Sequence, residues 1–325
     1  MSELADKEIL FVLGSARSGT TYLNNFLARW FDYGMGPEGT FVALFHRRLR
    51  RYGDLSRRPN LARLVEDISR CQMLEIMRKK YRESKRLDVT PEQIHARLLE
   101  PSYAGVVYEV FQCLADLKGK SRVGNKNPGY WTHFALLEEL FPEQARYIAI
   151  LRDGRDVFLS LQGTPWGRHS AYAAAKRWCQ ALAAIELFQE RCGSGRLLLL
   201  RYEDLLHSPA ESIGRIEDFL GVSLAPETRA AALAEAQSNP KKNNFHKWLD
   251  CLSGNDRRIF EALAGDMLAK HGYQTLPDRP RISLLEKRYF DMVELKRLFQ
   301  VNLYHMQNKF PGDTKRKARE AAARR

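Results

Sequence analysis

The sequence predicts an α/β fold in which a central parallel sheet is flanked by helices, and three observations predict it. Apolar runs at 9–13, 147–151 and 197–200 are short, bounded by polar residues and each followed by a helix signal. That alternation is what a parallel sheet covered on both faces requires. The first run enters a glycine turn and then a helical pattern, F-V-L-G-S-A-R-S-G-T-T-Y at 11–22, with Gly14 and Gly19 five apart. This is the strand–loop–helix setting of a phosphate-cradling loop. Hydrophobic residues make up 44% of 325 residues, enough for a sizeable core.

Taken in chain order, Ile9–Leu13 is the first strand, and Tyr22, Leu23, Phe26, Leu27 and Trp30 mark the helix after it. G-M-G-P-E-G-T-F, 34–41, reads as a shaped turn returning to the sheet edge. Residues 41–118 have helical periodicity and no convincing strand, and read as a helical insertion suited to an acceptor pocket or lid. Within it Thr90-Pro91-Glu92-Gln93 combines a hydroxyl N-cap, a proline at the first helical position and a capping-box residue. Ser121–Gly124 is a shorter candidate strand before N-K-N-P. Tyr147–Leu151 is the next strand. Leu197–Leu200 is all leucine and suits a helix as well, but the Gly193-Ser194-Gly195 break before it favours a strand. Ser208-Pro209-Ala210-Glu211 and Ser283-Leu284-Leu285-Glu286 are further capping boxes. The last opens an amphipathic helix over about 283–310, with Leu285, Tyr289, Met292, Lys296 and Phe299 at helical spacing. The reading is one domain over 1–310 and a basic, flexible tail at 311–325.

No run of apolar residues is long enough to span a membrane, and Met1–Glu8 is too polar for a signal peptide. Five scattered cysteines without a C-x-x-C pair argue against a disulfide framework or a zinc site and suit a reducing cytoplasm. The net charge of +13 points to an anionic partner. From Lys309 onward seven Lys or Arg face two acids, so the tail suits contact with an anionic polymer or a peripheral membrane surface.

The loop lacks the lysine that nucleotide hydrolases place after the second glycine; Thr20 and Thr21 stand there, and Arg17 is its only cation. Backbone N–H groups across Gly14–Gly19, the helix dipole and the hydroxyls of Ser18, Thr20 and Thr21 suit a terminal phosphate or phosphosulfate better than a β/γ-phosphate with magnesium. A second anion site is suggested by L-R-D-G-R-D-V-F-L-S at 151–160. Arg152 leaves a strand at the edge where open α/β sheets bind ligands, and Ser160 lies about two helical turns on. Asp153 and Asp156 favour the helix N-terminus between them.

These segments together resemble the sulfotransferases that use 3′-phosphoadenosine 5′-phosphosulfate (PAPS), most closely the tyrosylprotein and carbohydrate branch. R-S-G-T-T at 17–21 is similar to the family's 5′-phosphosulfate loop, and Arg152 with Ser160 to its 3′-phosphate pair. R-Y-E-D-L at 201–205 resembles a segment whose tyrosine contacts the nucleotide, here Tyr202. N-K-N-P at 125–128 is similar to an N-K-D-P whose lysine sits beside the transferred group, here Lys126. The resemblance implies a P-loop NTPase-like sulfotransferase fold and transfer of the sulfuryl group of PAPS to an acceptor hydroxyl or amine, leaving adenosine 3′,5′-bisphosphate, with no metal. It also implies in-line displacement, with Arg17 and Lys126 neutralising charge and Glu38 as the carboxylate base, a role worth ~10²–10⁴-fold. His46 and His133 are rival bases, since cytosolic relatives use histidine. N-P-K-K-N-N-F-H-K-W at 239–248 falls where the family places a basic loop over the cofactor, which implicates Lys247, with Lys241 and Lys242 as alternatives. Thr164 stands where the tyrosylprotein branch has a further arginine, so Arg168 or Lys241 is expected to complete the 3′-phosphate grip.

Two other functions compete. A P-loop kinase or NTPase with a degenerate Walker A loop lacks its lysine and an acidic strand end, since Arg152 precedes Asp153. A nucleic-acid binder fits the charge but has no basic stripe interleaved with aromatics. The expected acceptor is a small molecule, carbohydrate or lipid, and the terminal helix also suits a homodimer.

Overall fold

In the computed structural model, residues 3–71, 73–75, 89–164, 170–238 and 244–307 are described. Among them five strands form one all-parallel sheet: β1 (Ile9–Gly14), β2 (Tyr33–Met35), β3 (Arg122–Lys126), β4 (Ala145–Leu151) and β5 (Leu197–Arg201). The order is β2-β3-β1-β4-β5, and β1 pairs in parallel with both β3 and β4. Parallel neighbours need crossovers, and helices supply them. Helix α1 (Thr20–Trp30) joins β1 to β2. Between β2 and β3 run α2 (Phe41–His46), α3 (Arg58–Ser69), α4 (Pro91–Arg97) and α5 (Tyr103–Leu117). Helix α6 (Phe134–Leu140) precedes β4, and α7 (Gly154–Gln162) and α8 (Ala171–Cys192) precede β5. After β5 come α9 (Tyr202–His207), α10 (Pro209–Leu220) and α11 (Pro226–Gln237). The chain ends in α12 (Trp248–Cys251), α13 (Gly254–Lys270) and α14 (Leu284–Gln307).

The alternation along β1 explains why both sheet faces are dry. Ile9, Phe11 and Leu13 enter one apolar cluster with α5, α6 and α8, while Leu10 and Val12 enter another with α1 and α10. Every β1 side chain is buried, which is what a central strand covered on both faces demands.

Three sequence expectations need correction. β2 was not expected at all: three residues, Tyr33-Gly34-Met35, carry no alternation, and pairing with β3 rather than local propensity makes them a strand. The strand expected at 121–124 extends to Lys126, which puts that lysine on the sheet edge itself. The capping box at Ser208 does not form. Ser208 closes α9 by donating its N–H to Asp204 while it opens α10, so its backbone serves two helices and its side chain caps neither. The boxes at Thr90 and Ser283 do form. Residues past 307, including the basic tail, lie outside the described residues.

Behind β4 a buried ionic knot fixes the start of α7. The Arg155 guanidinium is fully buried; its fork meets Asp153 at 2.7 and 3.0 Å and Glu261 at 2.7 Å, and it stacks 3.5 Å over the Trp248 ring. Asp153 also caps α7 through the Arg155 N–H, and Glu261 accepts the Leu276 N–H at 2.6 Å. Removing the cation would leave Asp153 buried without a counter-charge and Glu261 with Arg257 alone, at 2.8 Å. Arg155→Leu should therefore lower unfolding free energy by about 3–5 kcal/mol in urea titrations. A loss below about 1 kcal/mol would mean that water reaches these carboxylates.

Candidate active site

Because all strands run the same way, their C-terminal ends share one edge, and the chain leaving each end carries a site segment. The loop 14–19 follows β1, Glu38 follows β2, Lys126 ends β3, Arg152 follows β4 and Tyr202 follows β5. No local pattern brings these residues together; the topology does.

The β1–α1 loop is forced into shape by its neighbours. A Cβ on Gly14 would lie 2.4 Å from the Ile150 carbonyl oxygen, and one on Gly19 would lie 2.3 Å from the Tyr202 ring. Gly19 also has φ of +98°, outside the range ordinary side chains adopt. It opens α1 with no side-chain cap, so the first N–H groups of the helix face the loop with the positive end of the dipole. Ser18 is buried and its Oγ has no hydrogen-bond partner among the described residues; Thr20 is buried and Thr21 exposed. Arg17, with φ of +70°, turns its exposed side chain across to the Ser160 Oγ, 3.0 Å from Nε.

Arg152 is held by backbone rather than by acid. Its guanidinium donates to the carbonyls of Arg17 at 3.1 Å and Asn244 at 2.7 Å and lies 4.9 Å over the Tyr202 ring. Its Nε is buried with no partner among the described residues, and it forms no ion pair with Asp153 or Asp156. Those acids are engaged elsewhere: Asp153 in the knot above, Asp156 by the N–H groups of His246 at 2.7 Å and Trp248 at 3.0 Å. Burial raises the Asp156 carboxyl above its usual range, and Arg152 opposes that shift. Asp156 thus pins residues 244–248 over the end of β4, and the Asn244 amide donates to the Tyr202 hydroxyl at 3.4 Å.

On the other side of β1, Lys126 Nζ is 2.8 Å from Glu38 Oε1 and 3.5 Å from Thr21 Oγ1. The lysine is mostly buried and the glutamate about half exposed. The turn carrying Glu38 is built by Asn125, which accepts the Gly39 N–H at 3.0 Å and donates to the Pro37 carbonyl at 2.9 Å; Tyr130 donates to the same Asn125 oxygen at 2.8 Å. Next to this pair is a cavity of about 110 Å³, lined by Gly39, Thr40, Asn127 and Tyr130 on one side and His133 and Leu137 on another. Burial, and then Arg47, push the His133 imidazole below its ordinary value.

Of the residues named from sequence, Arg17, Ser160, Arg152 and Tyr202 meet in one cluster, and Thr21, Lys126 and Glu38 meet in a second. Lys247 is exposed and joins none of these bonds. His46 pairs with Glu139 at 3.5 Å and does not line the cavity. The Thr164 hydroxyl bonds its own helix at the Leu161 carbonyl. Lys241, Lys242 and Arg168 lie outside the described residues. Asn125 and Asn244 were missed, and Asp156, named only for the helix N-terminus, instead holds the His246 and Trp248 N–H groups. Asn125 sits inside the N-K-N-P motif and was there to be asked about, whereas nothing local marks Asn244, whose carbonyl is what Arg152 uses.

The profile of the sulfotransferase family, Sulfotransfer_3, matches residues 10–226, more than half of the chain. A Caenorhabditis briggsae protein assigned by name to the protein-tyrosine sulfotransferases is 25% identical over 183 residues, 50% of this chain and 64% of that protein's length. Among solved structures, the sulfotransferase domain of the curacin biosynthetic pathway matches with a TM-score of 0.52 at 22% identity, covering 83% of this chain and 99% of that one. The sulfotransferase domain of the Synechococcus PCC 7002 olefin synthase matches with a TM-score of 0.51 at 22% identity over 83% and 97%. At these identities the structural matches speak to fold.

Gly19→Ala should destabilise the protein by roughly 1–3 kcal/mol, because the left-handed φ and the Tyr202 ring both oppose a methyl group. Gly163→Ala, at φ of −78°, is the control and should change stability little. Equal melting points for the two variants would remove the constraint assigned to Gly19.

Proposed function

This chain belongs to the sulfotransferase family, and on that premise we propose that it moves the sulfuryl group of PAPS to an acceptor hydroxyl or amine. The observation that carries the proposal is the pairing of two cationic clusters on one sheet edge. Arg17, Arg152 and Ser160 lie toward β4, and Lys126 lies beside Thr21 toward β3. A nucleotide with a 3′-phosphate and a 5′-phosphosulfate has one anionic end for each. The buried, unpartnered Ser18 Oγ and Arg152 Nε support this fit, because an unsatisfied buried donor is costly until an anion's oxygens take it up.

In this reading Arg152 and Ser160 hold the 3′-phosphate. The α1 N-terminus, Ser18, Thr20 and Thr21 hold the 5′ end, and Tyr202 packs beside the nucleotide. Lys247, and Lys241 in the neighbouring segment, are the family-implied cover. Lys126 stands between the nucleotide loop and Glu38, so one ammonium can follow charge from either side. When the acceptor enters, Glu38 takes its proton, the new S–O bond forms, and the bond from sulfur to the 5′-phosphate oxygen breaks. Lys126, Arg17 and the loop amides neutralise the charge left on that oxygen, and adenosine 3′,5′-bisphosphate is released. The cavity beside Gly39 and Asn127 begins one residue from each of Glu38 and Lys126, which supports entry of the acceptor there. Its mixed lining suits the hydroxyl-bearing end of a small molecule, a sugar or a lipid.

One observation favours a second base. His133 lines the same cavity, while burial and Arg47 lower its pKa and weaken it as a proton acceptor.

Two measurements test the proposal. Adenosine 3′,5′-bisphosphate without added metal should raise the melting temperature, and Arg152→Ala or Ser160→Ala should cut that shift sharply. Stabilisation by magnesium–ATP alone would replace this reading with a kinase or NTPase. In turnover assays with labelled PAPS, Glu38→Gln should lose about 10²–10⁴-fold in kcat with nucleotide binding intact. His133→Asn should stay within about tenfold of the parent. The reverse pattern would transfer the role of base to His133.

A further inference from the structure

Helix α14 is docked along one side only. Phe290 stacks on Tyr172 of α8 with ring centroids 5.2 Å apart, and Arg258 of α13 pairs with Glu286 at 2.6 Å. The outward side carries Leu284, Leu285, Tyr289, Met292, Leu295 and Phe299, each 58–79% exposed. At ~100° per residue these six fall within one half of the helix circumference, with Phe290, Glu286, Asp291 and Glu294 on the other. Six large apolar side chains left in water along one side of a helix are costly and signal a partner.

The charges on α14 say which partner. Its three acids all lie on the docked half, and each is already paired: Glu286 with Arg258, Asp291 with the Tyr172 hydroxyl at 3.0 Å and Lys176 at 3.3 Å, and Glu294 with Arg297 at 2.9 Å. The outward half holds two cations among its apolar residues, Arg288 and Lys296, both exposed and with no acid beside them on that face. Beyond the helix, residues 308–325 hold seven Lys or Arg against two acids. A second copy of this chain meeting the first across a two-fold axis would set Arg288 and Lys296 against their own like charges, with no carboxylate to relieve them. An anionic bilayer surface takes the apolar face into its headgroup layer and lets both cations reach up to lipid phosphates.

We infer that α14 forms a reversible docking surface for an anionic membrane, the helix lying in the interface plane. The apolar residues and the two cations among them act together: a partly inserted apolar face alone holds weakly, and basic residues beside it are drawn to anionic headgroups. No described helix is long and apolar enough to cross a membrane, so the helix rests on the surface. The inference does not depend on the transfer chemistry proposed above. If both hold, the acceptor is presented at a lipid surface.

The test is co-sedimentation of the full chain with phosphatidylcholine vesicles that either contain or lack phosphatidylglycerol. Binding is expected only where phosphatidylglycerol is present and should weaken as salt rises. Replacing Leu285, Met292 and Phe299 together with Ser should cut it at least about tenfold, with the melting temperature and its shift by adenosine 3′,5′-bisphosphate retained. Arg288→Gln with Lys296→Gln should weaken it as well. Absence of binding, or unchanged binding by the serine variant, overturns the inference. So does a dimer in analytical ultracentrifugation that the serine substitutions dissociate, since the face then belongs to a second copy.

Discussion

The rest of the site depends on how closely the β1–α1 turn approaches β4 and Tyr202. With 2.4 Å between a would-be Gly14 Cβ and the Ile150 carbonyl, and 2.3 Å between a would-be Gly19 Cβ and the Tyr202 ring, the turn can only lie flat against its neighbours. That approach places the Arg17 carbonyl where Arg152 can donate to it, and the Arg17 side chain where it meets Ser160. A turn lifted off the sheet by one methyl group would separate Arg17 and the α1 N-terminus from Arg152 and Ser160.

The edge gathers cations, and the fold handles the resulting charge by disposing of nearby acids rather than by pairing them with the working arginine. Asp153 is spent on the fully buried Arg155, and Asp156 on two backbone N–H groups of the segment over β4. Arg152 is thereby oriented by neutral carbonyls, which position a guanidinium without cancelling its charge. The other cluster follows a different rule. Lys126 is paired with an acid, Glu38, but that acid is half exposed and can exchange its partner, whereas the Arg155 knot cannot. One edge therefore holds fixed charge at Arg152 and exchangeable charge at Lys126 and Glu38.

Much of this could be read before any coordinates. Short apolar runs between helix signals implied the parallel sheet, because burial on both faces leaves no other composition for such strands. The glycine spacing and the absent lysine implied a phosphate loop of unusual preference. That Arg152 and Ser160 fall near one another, both beside Arg17, was legible because a strand end and two helical turns are local geometry. β2 was not legible, since three residues become a strand only when β3 is beside them. The cap at Ser208 was misread because a motif cannot reveal that its backbone is shared by two helices.

What the sequence determined by itself is chemistry and local shape: which residues can bear charge, where the chain must turn, and which faces must be dry. What only the tertiary structure decided is pairing. Asn125 building the Glu38 turn, Asn244 offering its carbonyl to Arg152, Asp156 pinning 244–248, and Glu286 and Asp291 of α14 reaching Arg258 and Tyr172 all join residues without a local pattern. Side-chain contacts across a sheet edge depend on strand order, and strand order is a property of the packed whole that no window of sequence contains.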